Sequence, residues 1–274
     1  MKTISVLFTV IFISLLISAC KDPKTGIVIP ENVEKYPTML NTEWEYETAS
    51  YVAKYDKNGN LGADSLIWQI SRSVVKIISV NDSIYGEKNL VQFGSNSNQG
   101  YITKKWYRNG EKSFELIAYT GFDYDNVLPK ARKSYSLEYL KYLTYNLTPD
   151  GALIPTKDSI FQTRRTVLEF PLTIGKSWDI YLPIGWKITR TILGKKQFSY
   201  QNTIVECFDI KSLYNRGDGP DYQTDAHDYI SLEYGLVKRE AIIDSIEITS
   251  EQNPYGTGEF LRYRSTSTLV RKSN

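Results

Sequence analysis

The stretch Tyr101 to Tyr119, reading YITKKWYRNGEKSFELIAY, decides the fold class. Two runs rich in aromatic and β-branched residues, Tyr101 to Arg108 and Glu111 to Tyr119, flank Asn109-Gly110. Asn-Gly suits a type I′ turn, whose twist matches that of paired strands, so the stretch is expected to form a β-hairpin.

The same signature recurs outward from it. From Glu43 the chain turns to period two, with Trp44, Tyr46 and Thr48 on one side and Glu43, Glu45 and Glu47 on the other, the pattern of a strand with one face in the core. Asp56-Lys57-Asn58-Gly59-Asn60 supplies residues tolerant of positive φ, and the apolar run Leu66 to Val80 reads as the returning strand. From Phe161 to Val270 strands follow almost without interruption, with Trp186, Ile188 and Ile192 alternating and Arg190 breaking the alternation, as a residue at a sheet edge would. One segment departs from this. Ser136 to Tyr145 places Leu137, Leu140 and Leu143 three apart behind a capping Ser136 and predicts a short helix. The expectation is an all-β chain forming an antiparallel curved sheet, a sandwich or a half-barrel, with at most one short helix.

Composition agrees. Tyr contributes 21 residues against 2 Met, and the 13% aromatic content is the composition of strands. Charge is balanced, 33 Lys plus Arg against 31 Asp plus Glu, with Lys104-Lys105, Arg164-Arg165 and Lys195-Lys196 isolated, so no polyanion-attracting field exists and nucleic acid is not the expected partner.

The N-terminus fixes the compartment. Lys2 is followed by an apolar run from Ile4 to Ile17 and by Ser18, Ala19 and Cys20, the pattern of an export signal. The run is too short for a retained transmembrane helix and meets Lys21, Asp22 and Pro23, while Ile17 is too bulky for an ordinary secretory cut after Ala19. Ile17-Ser18-Ala19-Cys20 resembles the lipobox of bacterial lipoproteins, which implies cleavage before Cys20 and acylation of that cysteine by chains such as palmitate. In that family the residue after the cysteine sorts the protein. Lys21, in place of the aspartate that retains such proteins at the inner membrane, implies the outer membrane of a Gram-negative cell. The organisation expected is a signal peptide over 1–19, a lipidated flexible tether over 20–37 with three prolines, and a single β-rich domain over 38–274. If Cys20 carries lipid, Cys207 has no disulfide partner and reads as a buried, inert thiol.

Phe170 to Trp178, Gly185-Trp186, the strand holding Cys207 and Glu233 to Lys238 together resemble β-rich lipoproteins and periplasmic proteins of Bacteroidota-type bacteria, a likeness that implies fold and not function. Gly175 and Gly235 are the positions where a strand ends or reverses. Four Asp-Ser-apolar copies, at Ser65, Ser83, Ser159 and Ser245, resemble the O-glycosylation acceptor of the same bacteria. The plainer reading of those residues is a turn in which the aspartate bonds nearby backbone before a strand.

Catalytic signatures are thin. His227 is the only histidine and no Gly-x-Ser-x-Gly elbow accompanies it; Asp225 and Asp228 could orient it, but in a polar loop a solvated surface histidine is the simpler reading. The aspartates of Asn215 to Asp228, and Asp56-x-Asn58-x-Asn60, lack the spacing of a Ca²⁺ loop. No catalytic, cofactor or metal residues are therefore assigned. The sequence favours a membrane-anchored, non-catalytic envelope lipoprotein acting as a binding or assembly module. The alternative is a secreted hydrolase acting on glycans through paired carboxylates.

Two measurements follow from these readings. The native protein takes up labelled fatty acid and fractionates with membranes, and Cys20→Ser abolishes both. Intact mass of the native protein separates the readings of the four serines, since glycosylation adds mass beyond polypeptide plus lipid.

Overall fold

The computed structural model describes residues 34–97, 102–120, 134–135, 160–181, 187–215, 220–248 and 258–274. The predicted helix at Ser136 to Tyr145, the strand start at Gly185-Trp186 and Cys20 lie outside the described residues. Within them the strands are β1 (Glu43–Lys54), β2 (Ser65–Ile84), β3 (Glu87–Ser97), β4 (Ile102–Asn109), β5 (Ser113–Thr120), β6 (Ser134–Tyr135), β7 (Ile160–Glu169), β8 (Ser177–Tyr181), β9 (Lys187–Tyr200), β10 (Thr203–Asn215), β11 (Pro220–Ser231), β12 (Gly235–Ile248) and β13 (Phe260–Ser273). They build one sheet in the order β7-β5-β4-β3-β2-β1-β13-β12-β11-β10-β9-β8, with the two-residue β6 parallel to β12. Every other pairing is antiparallel.

The order explains the shape. β7 and β8, consecutive in sequence, occupy the two edges of the sheet, so the sheet curls until its edges meet. No backbone ladder joins them among the described residues; side chains do. The Trp178 indole N–H donates to the Thr166 carbonyl at 3.1 Å, and Arg190 Nη1 donates to the Val167 carbonyl at 3.0 Å. The result is a nearly closed barrel, which excludes the sandwich and carries the half-barrel further round.

Alternation is visible on β1, where Trp44, Tyr46 and Thr48 are buried inside and Glu45 is covered on the outside by Arg271, Nε to Oε2 at 2.9 Å. Inside, one end of the barrel is aromatic: Trp44 stacks on Phe93 at 5.8 Å between centroids, and Phe114 stacks between Tyr107 at 4.6 Å and Tyr36 at 4.8 Å. Further along, the lumen turns polar, and Thr48 Oγ1 donates to Ser267 Oγ at 2.8 Å while Ser50 bonds Tyr263 and Ser265. The segment expected to end the tether belongs to this body. Tyr36 is buried and its hydroxyl accepts the Leu236 N–H at 3.0 Å, while Glu34 Oε2 accepts the Leu172 N–H at 2.7 Å.

The hairpin at Asn109 forms, but not with the expected turn. Asn109 pairs with Phe114 across the ladder, Gly110 N–H closes on the Ser113 carbonyl at 2.9 Å, and neither residue takes a positive φ. Asn109 instead uses Nδ2 to bond the Tyr36 carbonyl at 2.7 Å and Thr38 Oγ1 at 2.9 Å, a tertiary role that outweighs its turn preference. Gly175 and Gly235 do sit at strand ends in the left-handed region, at φ 86° and 82°. At Gly235 a Cβ would lie 2.8 Å from the Tyr36 hydroxyl.

Arg190 overturns the edge expectation. It lies on β9 between β8 and β10, shares the inward face with Ile188 and Ile192, and is fully buried. Its Nη2 bonds Asp228 Oδ2 at 2.6 Å, and Arg239 grips the same carboxylate through Nε at 2.6 Å and Nη2 at 3.0 Å. A buried charge is tolerable only when so paired. Asp228→Ala strands two buried guanidinium groups and is expected to cost about 3–5 kcal/mol of unfolding free energy, measured by urea denaturation.

Candidate binding groove on the outer wall

Antiparallel pairing places directly opposite residues on one face, so the outward side can be traced strand by strand. On β10 and β11, Asp209 opposes Tyr229 and Lys211 opposes His227. On β11 and β12, His227 opposes Glu240 and Tyr229 opposes Lys238; on β12 and β13, Lys238 opposes Thr268 and Glu240 opposes Thr266. These residues carry a continuous polar network.

His227 stands at its centre and is half-buried on a strand, not solvated in a loop. Its Nδ1 lies 2.5 Å from Asp209 Oδ1 and its Nε2 lies 3.3 Å from Asp225 Oδ1. Lys196 Nζ reaches Asp209 Oδ2 at 3.0 Å and the Tyr229 hydroxyl at 3.2 Å, Tyr229 donates to Glu240 Oε2 at 2.9 Å, and Lys238 Nζ meets Glu240 Oε1 at 2.6 Å. Lys211 Nζ completes the set at 2.6 Å from Asp225 Oδ1. Of the two neighbouring aspartates that could orient the imidazole, Asp225 bonds it. Asp228 does not, because one residue along a strand it points into the lumen. The partner that sequence reasoning missed is Asp209, eighteen residues away on the neighbouring strand and visible only through register.

The electrostatics follow from these bonds. The hydrogen bond to Asp209, then that to Tyr229, raises the Lys196 pKa. Burial alone would lift Asp225 and Glu240, but hydrogen bonds and charge from Lys211 and His227 on the first, and from Lys238 and Tyr229 on the second, outweigh it and hold both carboxyls below their usual range. Burial pushes the Tyr229 phenol up to about 12. At neutral pH Lys196 is therefore a cation, Asp225 and Glu240 are anions, and Tyr229 is a neutral phenol.

The far ends of β9 and β10 form an arm that crosses this wall. Phe198 packs on Tyr229 at 4.8 Å under Lys238 Nζ, Tyr200 meets Tyr234 edge-on at 5.3 Å, the Tyr200 hydroxyl accepts the Lys272 N–H, and Gln201 Nε2 reaches the Val270 carbonyl. Beside the arm lies a groove of about 420 Å³ lined by Glu47, Tyr51, Lys238, Glu240, Arg264 and Thr266, with Thr48, Ala49 and Thr268 completing it. Arg264 lies over the Tyr51 ring at 4.6 Å and bonds Asp64 Oδ2 at 2.7 Å, which holds its guanidinium at the rim. Lys238 and Glu240 join groove to network. Rigid cations, anions and threonine hydroxyls along an open channel suit a ligand rich in hydroxyl groups, with the ions fixed before it arrives.

Of the Asp-Ser pairs, Ser65 and Ser83 are exposed, Ser245 is half-buried with φ 52°, and Ser159 lies outside the described residues. Each described aspartate has structural work. Asp82 accepts the Ser83 N–H and the Trp106 indole, Asp244 accepts the Ser245 N–H and the Tyr55 hydroxyl, and Asp64 holds Arg264. Asp56 caps its own loop through the Asn58 and Asn60 N–H groups, which, with Asn60 contributing most, lower its pKa. No group of three or more His, Cys, Asp or Glu among the described residues could hold a metal ion.

The chain is similar in structure to a predicted lipoprotein from Parabacteroides distasonis ATCC 8503, with 14% identity, 87% of this chain and 97% of that one covered, and a TM-score of 0.38. It is also similar to a predicted exported protein with a YmcC-like fold from Bacteroides fragilis NCTC 9343, with 10% identity, 88% and 100% covered, and a TM-score of 0.40. No protein-family model and no curated protein matches it.

Cys207, a free thiol, is fully buried, and desolvation pushes it up to about 12, so its thiolate fraction near pH 8 is on the order of 0.01%. Ellman's reagent is expected to find no reactive thiol at Cys207 in the folded protein and one after unfolding in guanidinium.

Proposed function

We propose that this protein is a lipid-anchored binding module of the outer membrane, held through Cys20 and taking a hydroxyl-rich ligand such as a glycan in the outer-wall groove. The observation that carries the reading is the continuity between the groove and the pre-formed ion network behind it, joined through Lys238 and Glu240. Such preorganisation lowers the ordering cost of binding.

Glycoside hydrolysis needs a carboxylic acid whose pKa is raised so that it can protonate a leaving group. Asp56, Asp179, Asp225 and Glu240 are all displaced downward, and Glu240, the one of these that lines the groove, is held ionised by Lys238 and Tyr229. That direction suits holding a ligand better than cleaving one.

The test is retention of oligosaccharides prepared from the cell's own envelope on immobilised protein, with the eluate examined for shortened products. Wild type retains a fraction intact, and Arg264→Ala with Lys238→Ala weakens retention about tenfold or more. Cleavage of any bound glycan overturns the non-catalytic reading, and equal retention by the double variant removes the groove as the site.

A further inference from the structure

The antiparallel order sorts the connections into two ends. At one end lie residues 85–86, 110–112, 170–176, 201–202 and 232–234, all short, together with the start of β1 and the finish of β13. At the other lies the β1–β2 loop of residues 55–64. The N-terminal segment leaves from the short-turn end, where Glu34 is tied to Leu172 and Tyr36 is buried beneath Leu236.

That end also carries exposed apolar side chains. Among the described residues, three aliphatic side chains are more than half exposed: Met39 at 57%, Ile174 at 60% and Ile204 at 62%. All three lie there. Met39 precedes β1, Ile174 sits in the β7–β8 turn, and Ile204 follows the β9–β10 turn, whose Gln201 reaches Val270 near the end of β13. Leu40 adds a fourth beside Met39, 44% exposed, and the exposed Lys35 and Lys112 flank the group. Leu193 on β9 and Ile78 on β2 are 49% and 48% exposed, but the three aliphatic side chains above one half all share this end, as an interaction surface would have them.

We propose that this end rests on the bilayer, with Met39, Leu40, Ile174 and Ile204 inserting among the lipid headgroups and the end that holds residues 55–64 facing away. The proposal rests on the lipid anchor at Cys20. Thirteen residues separate Cys20 from Glu34, and a random coil of that length would reach only ~20 Å root-mean-square, whereas fourteen-residue β13 runs ~45 Å. The anchor therefore holds the short-turn end near the lipid far more often than the other. Exposed aliphatic side chains with lysines beside them, whose stems reach from headgroup to water, fit that surface. The groove on the side wall stays open to solvent in this pose.

The experiment uses the full acylated protein in vesicles of phosphatidylethanolamine and phosphatidylglycerol, with a nitroxide label at Ile174→Cys, Ile204→Cys or, at the opposite end, Lys57→Cys. Cys207 is too buried to take label. Flotation and intact mass of each sample report the anchor separately. With the anchor present, the labels at 174 and 204 are expected to relax more with oxygen, which concentrates in lipid, than with a water-soluble nickel chelate, and the label at 57 the reverse. Anchored protein whose 174 and 204 labels meet the nickel chelate as freely as 57 overturns the membrane face and leaves the anchor standing. Labels shielded from both agents also overturn it, pointing to a second copy covering this end. Loss of acyl mass and flotation overturns the anchor reading itself.

Discussion

Everything in this barrel depends on how its sheet closes. Among the described residues, the strands at its two edges, β7 and β8, meet without a backbone ladder, so each would present unpaired N–H and C=O groups to any passing chain. Arg190 bridges the gap. From β9 it reaches the Val167 carbonyl on β7, packs over Trp178 on β8 at 5.8 Å, and is itself held by Asp228. Trp178 adds a second link to β7 through Thr166. A guanidinium can do this where an apolar side chain cannot, because its several donors satisfy a carbonyl and a carboxylate at once. Its burial obliges Arg239 and Asp228 to be where they are.

The two walls of one strand then divide the labour. Neighbours His227 and Asp228 face opposite ways, and the pleat sends one carboxylate inward to two arginines and one imidazole outward to two carboxylates. Inside, two guanidinium groups converge on one carboxylate, because a buried charge left without any partner is costly. Outside, the ions are partly solvated, and those at the margin, Lys238 and Glu240, can exchange partners with a ligand at modest cost. Cys207 and Tyr229 show that the outer wall is not uniformly wet, since the β9–β10 arm folds across it and excludes water there.

The N-terminal strap sets the polarity of the molecule. Tyr36 enters the aromatic end of the lumen against Phe114, and Gly235 has no Cβ because that phenol and the Trp44 indole occupy the space. A residue from the very start of the folded body thus helps to close the end from which the chain departs. The short turns, exposed aliphatic side chains and chain exit coincide there, leaving the β1–β2 loop and the lateral groove on surfaces a membrane at that end would not cover.

Local periodicity determined the strands. Trp44, Tyr46 and Thr48 face inward because period two leaves no other way to hide them, and Gly175 in the turn before β8 and Gly235 at the start of β12 take a left-handed backbone that glycine adopts without strain. The burial of Cys207 was legible too, from the apolar run around it. What the sequence could not decide was anything requiring two strands to be placed side by side. Arg190 looked like an interruption because its partners, Asp228 and the Val167 carbonyl, lie 38 and 23 residues away in the sequence. His227 looked solvated because Asp209 belongs to another strand. Asn109 was assigned to a turn by its local preference and taken instead by Tyr36 and Thr38. Buried charge and paired side chains are long-range interactions whose favourable energy exists only once register is set, so no window of residues contains them; the tertiary structure decided them all.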